Sequence, residues 1–317
     1  MMLGATMAAV LAIPVALPIL AVADLLRGRI RLPSVRTYLF ALQYMINDSA
    51  EILLAPIYWT MAGFGTGLAG AASVQRHRRL QQWSVDLLER RADQLLGLRV
   101  EVSDEDLAEL IPGPTIVISR HVSLFDASIP GLLFQRHDYD VRGIIMTEML
   151  ADPGFDLLYS RLGSVFIPRD NGEQARAAID AMSDGADDRT AFVLFPEGRL
   201  FRPEVRDRVL DRLAAADPER AERLSELQSV LPPRPGGFVT MLAANPSADV
   251  VLIDHRGLDR YGRLADLAKA APVNEPIKIT VQRFPRSGIP DDAAEQAAWL
   301  DKLWLRLDAS LGPNPPK

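Results

Sequence analysis

The run Thr115-Ile116-Val117-Ile118-Ser119-Arg120-His121-Val122-Ser123-Leu124-Phe125-Asp126 decides how the chain is read. Its first five residues follow Pro112-Gly113-Pro114 and form a short apolar, β-branched stretch, the pattern of a buried strand. The periodicity then changes to that of a helix over 123–136, with Ser123 able to cap its first turn. His121 therefore falls in a strand-to-helix turn, where α/β proteins place ligands. From that turn Asp126 can reach back to the ring. A carboxylate on one imidazole nitrogen fixes the tautomer and leaves the other nitrogen as a base. A satisfied structural histidine has the same spacing.

Working outward, the alternation repeats. Residues 98–102, 142–146, 164–168, 191–195, 249–253 and 277–284 read as strands. Amphipathic or polar helical stretches cover 78–96, 172–184, 205–229 and 291–311, with Pro232 to Gly237 closing the third of them. Strands alternating with helices predict an α/β fold, a mostly parallel central sheet flanked by helices. There is no internal repeat.

Two further strand ends carry polar groups. Phe195-Pro196-Glu197-Gly198 follows an apolar run and turns sharply, presenting Glu197 at the sheet edge or as an exposed turn acid. Gly163 to Arg169 delivers an arginine, either a solvated one or one suited to holding a phosphate bidentately.

The front of the chain has another character. Between Met1 and Ala23 no residue is charged, and Leu3 to Ala23 is long enough to span a bilayer. Ala21-Val22-Ala23 also has the look of a signal-peptide cleavage site. However, no Lys or Arg precedes the run, which is longer than a usual signal core. Arg27, Arg29, Arg31 and Arg36 follow it and place that side in the cytoplasm. A second uncharged run, Ile52 to Gln75, contains Pro56 and four glycines and is followed by Arg76, Arg78 and Arg79. It reads as a helix or helical hairpin dipping into one leaflet, or as a buried core helix. The expected organisation is a membrane-anchoring helical segment over 1–77 and a catalytic domain over 78–317.

Charge agrees with a membrane partner. The 317 residues carry a net −6, yet residues 1–100 hold ten Arg and six Asp or Glu, a local +4. The acidic remainder would repel phosphate backbones, so no nucleic acid is expected. Cysteine is absent, which removes disulfides, thiolate metal sites and thiol nucleophiles, and His77, His121, His137 and His255 are the whole supply of imidazole.

The order and spacing of His121-x4-Asp126, Arg169 and Phe195-Pro196-Glu197-Gly198 resemble the glycerophospholipid acyltransferase family over roughly residues 80–310. That resemblance implies transfer of an acyl group from acyl-CoA or acyl carrier protein to a lysophospholipid at a membrane, with no other cofactor. It implies that His121 is the general base, that Asp126 orients it, and that Arg169, Glu197 and Gly198 help hold the acceptor's phosphate. Leu231-Pro232-Pro233-Arg234-Pro235-Gly236-Gly237-Phe238 is similar to the lysocardiolipin and lysophosphatidylglycerol branch. So is the tail, with Arg283-Phe284-Pro285 before the Trp299 and Trp304 helix.

The chain departs from the family pattern at three places. Arg120 stands for an asparagine, Arg199 for a threonine, and Thr147 for a lysine. Arg120 and Arg199 are therefore expected to add cations to the acceptor site and to favour a more anionic headgroup. Two other readings compete. One is a catalytically inactive lipid-binding protein of the same fold. The other is a metal-dependent hydrolase built on His137, Asp138 and Asp140.

Overall fold

A computed structural model describes residues 2–168 and 172–312. Along the chain these form α1 (Met2–Leu26), α2 (Pro33–Met61), α3 (Ala71–Arg91), β1 (Val100–Val102), α4 (Asp104–Ala108) and β2 (Thr115–Ser119). Next come α5 (Ile129–Gln135), β3 (Asp140–Met146), α6 (Pro153–Tyr159), β4 (Val165–Ile167), α7 (Gly172–Ser183) and β5 (Thr190–Leu194). The last elements are α8 (Pro203–Ala216), α9 (Pro218–Leu224), α10 (Pro235–Ala244), β6 (Asp249–Arg256), α11 (Leu264–Ala270), β7 (Ile277–Phe284) and α12 (Ala293–Leu311). The strands lie in the order β1-β7-β6-β2-β5-β3-β4. Among these, β2 runs parallel to both β5 and β6, β3 runs parallel to β5, and β7 runs antiparallel to β6. The expected mostly parallel sheet flanked by helices is what forms.

The chain divides into two compact units. One comprises Met1–Val100, Ile145–Arg169 and Arg263–Ile277, and the other Glu101–Ile144, Asp170–Gly262 and Lys278–Lys317.

In the second unit every residue of β2 and β5 is buried. Ile116, Val117 and Ile118 are wholly removed from solvent. Each such side chain contributes about 1.5–3 kcal/mol on burial, so a charge at any of them would undo the centre of the sheet. Helix α12 carries Leu300, Leu303, Trp304 and Leu307 at helical spacing, all buried.

The first unit begins with α1, whose apolar run continues to Leu26 through Pro14 and Pro18. Helix α2 returns antiparallel to it. Thr6 Oγ1 meets Ser49 Oγ at 2.8 Å, Tyr38 donates to the Ala9 carbonyl at 2.6 Å, and buried Asp24 accepts from the backbone and hydroxyl of Ser34, both at 2.8 Å. Asn47 of α2 donates to the Ser84 hydroxyl of α3 at 2.6 Å.

Local readings shift in three places. The uncharged run 52–75 is the end of α2, a glycine-rich turn and the start of α3, so of the alternatives read for it the helical hairpin forms and the single core helix does not. Pro235-Gly236-Gly237, read as a breaker, opens α10, because proline in the first turn gives up no hydrogen bond. The region 205–229 splits into α8 and α9 at Asp217, which caps the second helix by accepting from the Arg220 amide.

Candidate active site

Strands β2, β5 and β6 run in one direction with Ser119 level with Ile253 and Ile118 level with Leu194. Their carboxyl ends therefore bring together three stretches distant in sequence: 120–126, 195–199 and 254–259. His121 Nδ1 lies 2.6 Å from Asp126 Oδ1. The ring keeps 21% of its side-chain surface exposed while Asp126 is wholly buried. Ring and carboxylate are not spaced by a helix that starts at Ser123. Residues 121–125 are irregular, and Asp126 instead opens a 3₁₀ turn, Asp126–Ser128, leading into α5. From there its Oδ2 accepts from the Val122 amide at 2.6 Å and the Ser123 amide at 2.8 Å. Burial alone would raise this carboxyl. The hydrogen bonds from His121 and His255 outweigh it and hold Asp126 down at about 2. Asp126 is thus an ionised acceptor that orients Nδ1–H, and no described residue bonds Nε2.

Glu197 is nearly inaccessible, at 2% exposure. Its Oε1 accepts from the His121 amide at 3.0 Å and its Oε2 from the Leu231 amide at 2.8 Å. Burial pushes Glu197 up to about 8, against the pull of those two N–H groups and of Arg120. With both oxygens so engaged, Glu197 ties the histidine turn to the 231–234 loop. The resemblance had implied that it faces the acceptor. Gly198 does face outward, in a left-handed conformation at φ +63°, and the Arg234 side chain passes 3.4 Å from where a Cβ would stand. Phe195 lies against the His121 ring, centroids 4.7 Å apart. Arg199 is half-buried in the turn that follows.

Arg120 is corrected. Expected as a cation for the acceptor, it is completely buried. Its NH1 and NH2 donate to Asp259 at 2.7 and 3.1 Å, its Nε sits 3.2 Å from Asp254, and it also donates to the His255 carbonyl. An arginine here needs such partners, since an unpaired buried charge costs several kcal/mol. It braces the strand ends behind the ring. Arg169 lies outside the described residues.

Ser123 is buried, its hydroxyl donating to the Tyr261 carbonyl at 2.7 Å. Of the group 137–140, Asp140 is paired with Arg142 at 3.2 Å. Among the described residues no cluster of three His, Asp or Glu could hold a metal.

Sequence reasoning missed His255 and its neighbours. Strand β6 continues to Arg256 rather than ending at 253, which places the His255 ring behind Asp126, with Nε2 3.5 Å from Oδ2. The extra residues, Asp254, His255 and Arg256, are all polar or charged and so do not read as a continuation of the apolar strand.

Comparison with known proteins adds two findings. Residues 99–253 match the family model described as Acyltransferase. That stretch, somewhat short of half the chain, contains the paired His121 and Asp126 and the Glu197 turn. The fold is similar to the crystal structure of the 1-acyl-sn-glycerophosphate (LPA) acyltransferase from Thermotoga maritima, with a TM-score of 0.50 at 16% identity, covering 88% of this chain and 100% of that one. No curated protein gives a match. The first finding shows an acyltransferase domain over 99–253, and the second shows the fold alone.

Proposed function

We propose that this protein transfers a fatty acyl group from an acyl thioester, acyl-CoA or acyl carrier protein, to the free hydroxyl of a lysophospholipid such as 1-acyl-sn-glycerol-3-phosphate. One observation carries the reading: a partly exposed imidazole at a sheet mouth, its Nδ1 held 2.6 Å from a buried carboxylate and its Nε2 without a partner among the described residues. An alcohol is a poor nucleophile at neutral pH, and a base must take its proton as the carbonyl is attacked. His121 Nε2 accepts that proton. The lipid oxygen bonds to the thioester carbon, and the tetrahedral intermediate collapses. The carbon–sulfur bond breaks and the departing thiolate takes the proton back from Nε2. Asp126 remains ionised throughout. General-base catalysis of this kind supplies about 10²- to 10⁴-fold, and positioning much of the remainder. No covalent acyl-enzyme is needed, in keeping with the absence of cysteine.

Helix α1 supports membrane attachment. It is 25 residues long, and in its most apolar window only 6% of positions are buried. Paired with α2 it forms an anchoring hairpin, with Arg27, Arg29, Arg31 and Arg36 marking the cytoplasmic side. By the same resemblance Arg169, Gly198 and Arg199 help hold the acceptor's phosphate, and the added cation of Arg199 would favour a more anionic headgroup.

The test uses purified full-length protein in detergent with an acyl-CoA, or an acyl carrier protein, and a panel of lysolipids, with products read by mass. The expected outcome is an acylated lipid and an equivalent of free thiol, most with anionic acceptors. Folded protein that acylates none of the panel from either donor would overturn the reading.

A further inference from the structure

His255 has been given no part in the reaction above. It sits two residues beyond the point where β6 is level with the end of β2, and its side chain is wholly buried. Its Nε2 lies 3.5 Å from Asp126 Oδ2 and 3.4 Å from the Arg120 carbonyl oxygen. Both neighbours are acceptors, so the proton belongs on Nε2. Its Nδ1 is buried and has no hydrogen-bond partner among the described residues. A proton there would be an orphan donor, which costs more than an idle lone pair. Geometry thus selects the neutral Nε2–H tautomer.

We infer that His255 is a positioning residue for the acyl transfer, a second imidazole that holds the far oxygen of Asp126 so that the near oxygen serves His121 alone. This rests on the reading of His121 as base. Oδ2 receives the amides of Val122 and Ser123 at normal hydrogen-bond length, and His255 closes the remaining side at longer range. Oδ1 is left to His121 at 2.6 Å. The charged or titratable groups around the pair are Arg120, Asp254, Asp259, Glu197 and Arg256. Arg120 is engaged by Asp259 and Asp254, and Arg256 Nε lies 3.7 Å from Asp254. Removing the His255 donor leaves Asp126 a stronger acceptor toward His121. The His121 imidazolium is then favoured, and the acid limb of the pH–rate profile moves to higher pH.

Two substitutions separate this role from packing. His255→Met fills similar space without a donor, and His255→Gln places an amide N–H near the position of Nε2. The expected result for His255→Met is a kcat about tenfold lower at unchanged KM, with the acid limb raised by about half a pH unit or more. His255→Gln should restore both. A Met variant with wild-type kcat and pH profile would overturn the inference, as would Met and Gln variants that are equally impaired while remaining folded by thermal unfolding. A readout free of activity uses the full-length protein with ¹⁵N-labelled histidine, the four rings assigned by replacing the other three in turn. His255 carrying its proton on Nε2 at pH 7 agrees; a proton on Nδ1 contradicts. If the wild type transfers no acyl group, the reading of the reaction fails on its own, and the tautomer still decides the placement of His255.

Discussion

Along α1 the exposed side chains include Met7, Leu11, Val15, Ile19 and Leu26, while its buried residues are Thr6 and Asp24. Along β2 every residue is buried, Thr115 and Ser119 as well as the isoleucines and valine. Both stretches are apolar, but α1 is turned inside out. Its polar groups are satisfied by α2, through Ser49 and Ser34, and its apolar surface faces outward. A helix with that arrangement suits an apolar solvent, whereas the sheet follows the rule of proteins in water. On the proposed reading the difference separates two tasks: α1 and its partner would hold the protein to lipid, and the strand ends of the second unit would carry the chemistry. Changes in one region should leave the other's readout untouched.

The largest expected effect on chemistry short of removing the base itself is Asp126→Asn. An amide at this position presents a donor where the Val122 and Ser123 amides and the His121 ring need acceptors. The wrong tautomer of His121 is then favoured, and transfer falls by about 10²- to 10⁴-fold. Sedimentation with liposomes should not change. Weakened liposome binding in that variant would break the division of tasks.

The converse substitution is Val15→Asp, at a position 62% exposed. A carboxylate at the middle of a lipid-facing helix costs about 3 kcal/mol, or roughly a 100-fold loss of membrane association. Turnover of a detergent-dispersed lysolipid should persist. Undiminished liposome binding would show that α1 is not the anchor.

The smallest effect is on acid stability. Asp126 is held near 2, below its ordinary 3.8. Its contribution is fully present above about pH 4 and is lost as pH falls from there through 2. It amounts to about 2 kcal/mol. Unfolding measured between pH 5 and 2 should show the wild type losing that margin relative to Asp126→Asn, and parallel curves would contradict it.

Much of the second unit was legible because its strands are short, apolar and bounded by Pro, Gly or polar turns. The strands β2, β5 and β7 fall where the pattern put them, and His121 and Asp126 meet. Legibility failed where the deciding contact is distant in sequence. Nothing near Arg120 announces Asp259, 139 residues on, so a buried brace reads from sequence as a cation of the acceptor site. Nothing near Glu197 announces the Leu231 amide that claims its second oxygen. His255 was invisible for the same reason, its partner being a turn on another strand. In the first unit, α2 runs on from Pro33 through Asn47, Asp48 and Glu51, and these buried polar residues hid a helix whose periodicity is satisfied by hydrogen bonds rather than by apolar packing.

The most direct test compares wild type with His121→Ala, both purified in detergent, checked for equal thermal unfolding and liposome binding, and supplied with an acyl thioester and lysophosphatidate. Acylated product is expected from the wild type and a loss of about 10²-fold or more from the variant, with folding and membrane binding intact. A folded His121→Ala protein that transfers at the wild-type rate would contradict the assignment of His121 as the base.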